Sequence, residues 1–172
     1  MSDTRSTETF TFAMGEFEAT FPRDRHYAKN HMWAQCIEPG SGSQGSPGRQ
    51  GSTWRFGLSA YAVRLLQDVY FLDWEVEAPS AVEHRQMIGA IESKKAESDL
   101  YAPIAGTLSA INEHVLADPS LINADPYGAG WMIELDVAQD GSGVLLSPDQ
   151  YADHLTEAWQ VAQRTIKGQA NF

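Results

Sequence analysis

The chain has 172 residues, enough for one domain with a sizeable core and too few for two ordinary ones. An apolar fraction of 42% with a charged fraction of 20% excludes a disordered or fibrous polypeptide. Twelve basic against twenty-three acidic residues leave a net charge of −11, which repels phosphate backbones and anionic lipid and so argues against nucleic acid or membrane as a partner. The same charge suits brief docking onto basic rims of partner enzymes. No apolar run approaches a membrane span, and Met1 to Arg5 lacks the apolar core of a signal peptide, so a cytoplasmic location is expected. The single cysteine, Cys36, excludes an internal disulfide framework.

Residues 1–9 are polar and offer nothing to bury, so disorder is expected there. Phe10, Phe12 and Phe17 partly alternate and predict one added strand, within an N-terminal extension over residues 1–22. A domain over 23–146 follows, entered by a strand at Tyr27 to Ala34. Cys36 would share the face of Met32 and Ala34 on that strand, where a free cysteine usually serves as a small buried hydrophobe. Residues 39–52 are rich in Gly, Ser and Pro and predict a flexible insertion in a hairpin loop. Thr53 to Leu58 predicts a strand with Trp54 and Phe56 on one face, and Ser59 a cap for a helix over Ala60 to Gln67. Val69 to Val76 alternates Tyr70, Leu72, Trp74 and Val76 against Phe71, Asp73 and Glu75, the period of a half-buried strand. The segment Glu77 to Gln86 carries His84, expected to be solvated.

Apolar Met87 to Ile91 and Leu100 to Ile104 flank a polar break, Glu92-Ser93-Lys94-Lys95-Ala96-Glu97-Ser98-Asp99, which reads as a hairpin with a solvated tip. A lysine there holds a primary amine out in water on a flexible stem. Pro103 fixes φ and Gly106 permits a conformation closed to other residues, which together set the hairpin base. Thr107 to Asn112 predicts a strand. Asn123 to Gly130 is dense in turn formers, and Trp131, Ile133, Leu135 and Val137 alternate with Met132, Glu134 and Asp136 in a last strand. Gly128-Ala129-Gly130 lacks a third glycine and precedes a strand, so it is no nucleotide loop. Ser147-Pro148-Asp149-Gln150 is a helix start with a capping box, and Tyr151, Leu155, Trp159, Ala162 and Ile166 form an apolar stripe to lay on the sheet in a C-terminal helix over 147–172. His26, His31 and Asp24 match no metal spacing, and zinc, phosphate-loop and nucleophile-elbow patterns are missing, so neither a catalytic residue nor a metal site is expected.

Three blocks carry a family resemblance. Glu92 to Asp99 resembles Glu-Ser-x-Lys-Ala-x-Ser-Asp, the lipoylation signature of the glycine cleavage H protein, with Lys95 at the modified position. Ile122 to Met132 resembles that family's I-N-x-D-P-Y-x-x-G-W-M, and Tyr27 to Ala34 its Y-x-x-x-H-E-W-V. The resemblance implies a mainly β fold, a flattened barrel-sandwich hybrid of two antiparallel sheets with short helices and a C-terminal one. It also implies a non-catalytic carrier with lipoate in amide linkage to Lys95, read by a lipoate-protein ligase or lipoyl transferase through Glu92, Ser93, Ala96, Ser98 and Asp99. The loaded arm would dock on His31, Met32, Ser59, Ala60 and Tyr61.

Two jobs compete within that family. The first is glycine cleavage, carrying aminomethyl between glycine decarboxylase, aminomethyltransferase and dihydrolipoamide dehydrogenase. The second is an H-like lipoate-binding branch that works with a heterodisulfide-reductase-like complex in sulfur oxidation. Met32 stands where the family has the glutamate that faces the amine on the loaded arm, and Ala60 and Val63 replace polar residues beside it. These departures favour the second job. An unmodified interaction subunit and a biotin carrier are the remaining alternatives, the latter disfavoured because Lys95 lacks flanking methionines. A monomer is expected.

Overall fold

The computed structural model describes residues 8–38, 51–138 and 141–168. The described chain opens with an antiparallel hairpin, β1 (Thr9–Met14) and β2 (Phe17–Pro22), paired from Thr9↔Pro22 to Met14↔Phe17. Gly15 takes φ 68° at the first central position of the two-residue turn, where a type II′ turn places glycine. One strand was expected across Phe10 to Phe17; the glycine breaks it into two. Of the residues expected to be disordered, 1–7 lie outside the described ones and Thr9 already belongs to β1.

Two antiparallel sheets make the body. Six strands lie in the order β3 (His26–Tyr27), β4 (Met32–Glu38), β5 (Ser52–Leu58), β11 (Ile133–Val137), β10 (Gly106–Ile111) and β7 (Ser80–Val82). The smaller sheet runs β6 (Val69–Trp74), β8 (Met87–Ser93) and β9 (Glu97–Tyr101). Phe56, Leu58, Leu108 and Ile133 of the first share one buried core with Leu72, Ile88, Ile91 and Leu100 of the second. This is the mainly β, two-sheet architecture that the resemblance implied.

Several local expectations are corrected. The β6–β8 register shifts between Val69 and Phe71, so Val69 takes the buried slot and Tyr70 is 62% exposed instead of inward. Cys36 is exposed although Met32 and Ala34 of the same strand are buried, because the strand runs past the covered part of the sheet and is irregular between Cys36 and Glu38. Gly106 does not need a positive φ; it is required because a Cβ there would lie 2.7 Å from the Asp136 carbonyl oxygen of the neighbouring strand. The Gly/Ser-rich insertion lies outside the described residues except for 51 and 52.

Helices α1 (Ala60–Leu66), α2 (Glu113–Ala117), α3 (Leu121–Ala124) and α4 (Pro148–Gly168) complete the chain. The capping box of α4 forms as expected: the Gln150 N–H donates to Ser147 Oγ at 3.2 Å and the Ser147 N–H to Gln150 Oε1 at 2.9 Å. Its apolar stripe lies on the β3 edge of the main sheet and under the β1–β2 hairpin. Tyr151 and Leu155 pack with Phe10, Phe21, Tyr27, Trp33 and Tyr61, a second core under the β1–β2 hairpin. Tyr27 and Tyr151 stack with ring centroids 4.4 Å apart.

The block Ile122 to Met132 is scaffold. Asn123 accepts from the Val69 N–H and donates to the Gln67 carbonyl, fixing the connection between α1 and β6. Trp33 Nε1 donates to the Pro126 carbonyl, and the Tyr127 hydroxyl accepts from the Ala60 N–H at 2.8 Å. Tyr127 thus satisfies an orphan donor at the start of α1 that Ser59 was expected to cap. The Ser59 hydroxyl is used elsewhere.

Candidate functional site

Lys94 and Lys95 are the two central residues of the loop joining β8 to β9, closed by the Ser93 N–H donating to the Ala96 carbonyl at 2.8 Å. Hairpin loops this short favour glycine or asparagine at positive φ, and neither lysine has it. Ser93 compensates. Its buried hydroxyl accepts from the N–H groups of Lys95 at 3.2 Å and Ala96 at 3.0 Å, and donates to the Ala96 carbonyl at 3.0 Å. The Lys94 N–H donates to the Asp68 carbonyl at 2.8 Å, mooring the loop to the α1–β6 connection. Both lysine side chains are exposed and, among the described residues, have no ion-pair partner. The result is a free amine on a braced tip.

Beside the tip lies a cavity of about 290 Å³ with mostly apolar walls. Met32, Leu58, Ile91 and Leu100 close it below, Tyr61, Leu65 and Leu66 of α1 on one side, and Ala96 to Tyr101 of β9 on the other. Met32 is buried, 3% exposed, so its thioether presents an uncharged wall. Glu97 and Asp99 line the rim on the β9 side and are the carboxylates of the cavity. The groove runs from Ala96, next to Lys95, toward Asn30 and Tyr101, which are joined by a bond from Asn30 Nδ2 to the Tyr101 carbonyl at 3.0 Å.

A polar relay stands behind this wall. The Tyr151 hydroxyl lies 2.8 Å from His31 Nδ1 and 2.9 Å from Ser59 Oγ, and Ser59 is fully buried. His31 has φ 73° and is sandwiched by ring contacts with Tyr61 at 4.5 Å and His154 at 5.2 Å. Burial, with His154 beside it, pushes His31 down to about 3, so the imidazole stays neutral near pH 7. Burial also raises the Tyr151 hydroxyl well above its ordinary value. The relay therefore fixes a side chain in place; it holds no group poised to exchange a proton near pH 7.

The model of the family described as glycine cleavage H-protein matches residues 48–158. The chain belongs to that family. The glycine cleavage system H protein of Corynebacterium aurimucosum is 36% identical over 134 residues, covering 78% of this chain and 95% of its own. That of Mycobacterium bovis is 38% identical over 146 residues, covering 79% and 97%. The crystal structure of a glycine cleavage system H protein from Mycobacterium marinum superposes with a TM-score of 0.64 at 32% identity, covering 79% of this chain and 99% of that one. H-family proteins are lipoyl carriers and not catalysts.

In this H-family chain the hairpin brings Ala96, Ser98 and Asp99 into the wall of the cavity, with Lys95 next to Ala96 on the tip and Glu92 paired opposite Glu97. The Ser93 hydroxyl is spent inside the turn, where it shapes the tip. His31, Met32 and Tyr61 line the cavity. Ser59 lies behind it and Ala60 faces a separate groove with Phe17, Val63 and Arg64. Glu38, at the far end of β4, does not line the cavity; the acids that do are Glu97 and Asp99. Sequence reasoning missed Asn30, Tyr101, Tyr151 and His154. Only the helical spacing of Tyr151 was visible, and it signalled packing alone. Among the described residues no group of three His, Cys, Asp or Glu side chains could hold a metal, and no helix is long and apolar enough to cross a membrane.

Proposed function

We propose that the chain carries lipoate on Lys95 and serves the glycine cleavage enzymes, presenting an aminomethyl-loaded arm to glycine decarboxylase, aminomethyltransferase and dihydrolipoamide dehydrogenase. The observation that carries this reading is the unpaired Lys95 amine on a braced two-residue tip, one residue from Ala96 in the wall of an apolar cavity able to shelter a flexible hydrocarbon arm. A free carboxylic acid does not acylate an amine in water without activation, so a ligase or transferase must supply activated lipoate. Glu92, Ala96, Ser98 and Asp99 are the surface available for that enzyme to read, and Ser93 presents them. When bound, lipoate supplies the dithiolane that takes up and hands over the cargo. Met32, Tyr61 and the β9 backbone keep water from the arm, while Glu97 and Asp99 supply the negative charge that an aminomethyl ammonium needs once Met32 has replaced the usual acid. A soluble cytoplasmic monomer fits these partners.

The sulfur-oxidation branch with a heterodisulfide-reductase-like complex is the second reading, and Met32 buried in the cavity wall is what favours it. The relatives, named for glycine cleavage, weigh toward the first.

Intact-mass spectrometry of protein from a lipoylation-competent host tests the attachment. A gain of one lipoyl group that Lys95→Arg abolishes, with Lys94 untouched, is the expected result. An unchanged mass beside an active ligase would leave an interaction subunit, and an increment of biotin size would make it a biotin carrier. Loading by a glycine decarboxylase then separates the two jobs. Aminomethyl accepted by the wild type and lost on Asp99→Asn supports glycine cleavage, whereas acceptance gained only on Met32→Glu supports the sulfur reading.

A further inference from the structure

Four of the nine described lysine and arginine side chains of this acidic protein are spoken for, and Lys94 and Lys95 stand on the hairpin tip. Arg23 pairs with Asp149, Arg25 with Asp24 and Arg55 with Glu134, and Arg64 lies over the Phe17 ring at 4.2 Å. Lys29 and Arg85 differ. They come from distant parts of the sequence, have no acid partner among the described residues, and line one cavity of about 560 Å³ together with His84, Asn30, Tyr101 and Pro103. Unpaired cations converging on a concavity in a chain of net charge −11 make a local inversion of sign.

The backbone holds them there against local preference. Arg85 sits in the turn closed by the Gln86 N–H to the Glu83 carbonyl at 3.0 Å and has φ 70°, a conformation that turns normally give to glycine or asparagine. Its own N–H donates to the Ala102 carbonyl at 3.0 Å, which fixes the turn against the end of β9. Lys29 is fixed from the other side, its carbonyl accepting from His154 Nε2 at 3.0 Å. Glu83 is the nearest acid in sequence; it is exposed and makes no ion pair with Arg85.

The position of this cavity gives it meaning. Asn30 and Tyr101 line both it and the groove beside Lys95, so the two concavities share a wall. An arm entering from Lys95 and lying along β9 points at that wall.

We propose that Lys29, His84 and Arg85 form an anion subsite for a small molecule that meets the far end of the arm, the recognised group being a sulfur oxyanion or a carboxylate. The meaning assigned to the subsite rests on the carrier function of Lys95; the binding itself does not.

The test uses the full chain without lipoate. Amide chemical shifts are followed by NMR while thiosulfate, and separately succinate, is added in low-chloride buffer. Saturable shifts confined to Lys29–His31, His84–Gln86 and Tyr101–Ala102 are expected, weakened about tenfold in Lys29→Ala and in Arg85→Gly by loss of one charge-assisted bond. Arg85→Gly also relieves the φ strain, so its melting temperature should not fall, which separates lost binding from lost folding. Tighter binding of thiosulfate assigns the sulfur oxyanion, and tighter binding of succinate the carboxylate. Shifts absent for both anions, or unchanged in both variants, overturn the proposal. So does a result in which neither anion binds while Arg85→Gly weakens docking onto a partner enzyme, because the cations would then read a protein acid. Because Lys95 is unmodified throughout, failure here leaves the mass test of Lys95 standing, and failure of that test leaves this one readable.

Discussion

At the scale of single residues the exposed tip is held by a side chain that hardly reaches solvent. Ser93 is buried, and its three hydrogen bonds replace what glycine or asparagine gives other short hairpins. Ser93→Ala should therefore cost about 1 kcal/mol and leave the tip loose, lowering the rate of lipoylation while Lys95 remains present; a competition assay of wild type and variant for limiting ligase reads this, and equal rates would contradict it. His31 supports a statement about pH. Its folded value of about 3 lies below its ordinary 6.5, so between the two the unfolded chain binds the more protons. Stability from this group is complete above pH 6.5 and is lost as pH falls toward 3, with a slope of at most about 1.4 kcal/mol per pH unit. His26, also lowered by burial, adds in the same direction. Urea midpoints measured from pH 7 to pH 5 should fall for the wild type and fall less steeply for His31→Asn, a residue that tolerates φ 73°. Parallel curves would remove His31 from the account.

At the scale of elements, α4 matters more than its sequence suggested. It was legible as a helix from its capping box and stripe, but the surface it would cover was not. The main sheet was expected to receive it and its β3 edge does, together with the β1–β2 hairpin, which was unreadable because Gly15 disguised two strands as one. From that position α4 sends Tyr151 behind the wall of the cavity, joining residues 31, 59 and 151 across the chain. The lysine hairpin, by contrast, was read correctly in type and place, since apolar strands flanking a charged tip encode it locally. Register was less legible: the shift at Val69 and Phe71 that turns Tyr70 outward depends on pairing with β8, which no local period reports. Tyr151→Phe tests the link between α4 and the site. It strands the fully buried Ser59 hydroxyl and should cost about 1–3 kcal/mol. Adding Ser59→Ala removes the stranded group, so the double variant should lose less than the sum of the two single losses. Additive losses would mean that the two hydroxyls do not act as a unit.

For the whole molecule, charge and chemistry are arranged in opposition. The net charge is −11, and Glu92, Glu97 and Asp99 flank Lys95 in the hairpin, while the unpaired Lys29 and Arg85 gather at the far end of the groove. A partner that must grip Lys95 therefore meets an acidic collar first, and a basic rim on that partner is drawn to it from a distance. Salt shortens that reach: the Debye length falls from about 30 Å at 0.01 M to about 8 Å at 0.15 M. Association with the lipoate-attaching enzyme should slow steeply over this range while dissociation changes little, because steering acts on encounter and the contacts made afterwards lie too close to be screened. Stopped-flow association of the chain with that enzyme measures both rates. Replacing Glu97 with Gln, on the exposed side of the collar, should flatten the salt dependence without moving the melting temperature. An association rate indifferent to salt would mean that the acidic surface serves solubility, and that recognition rests on the shape of the tip alone.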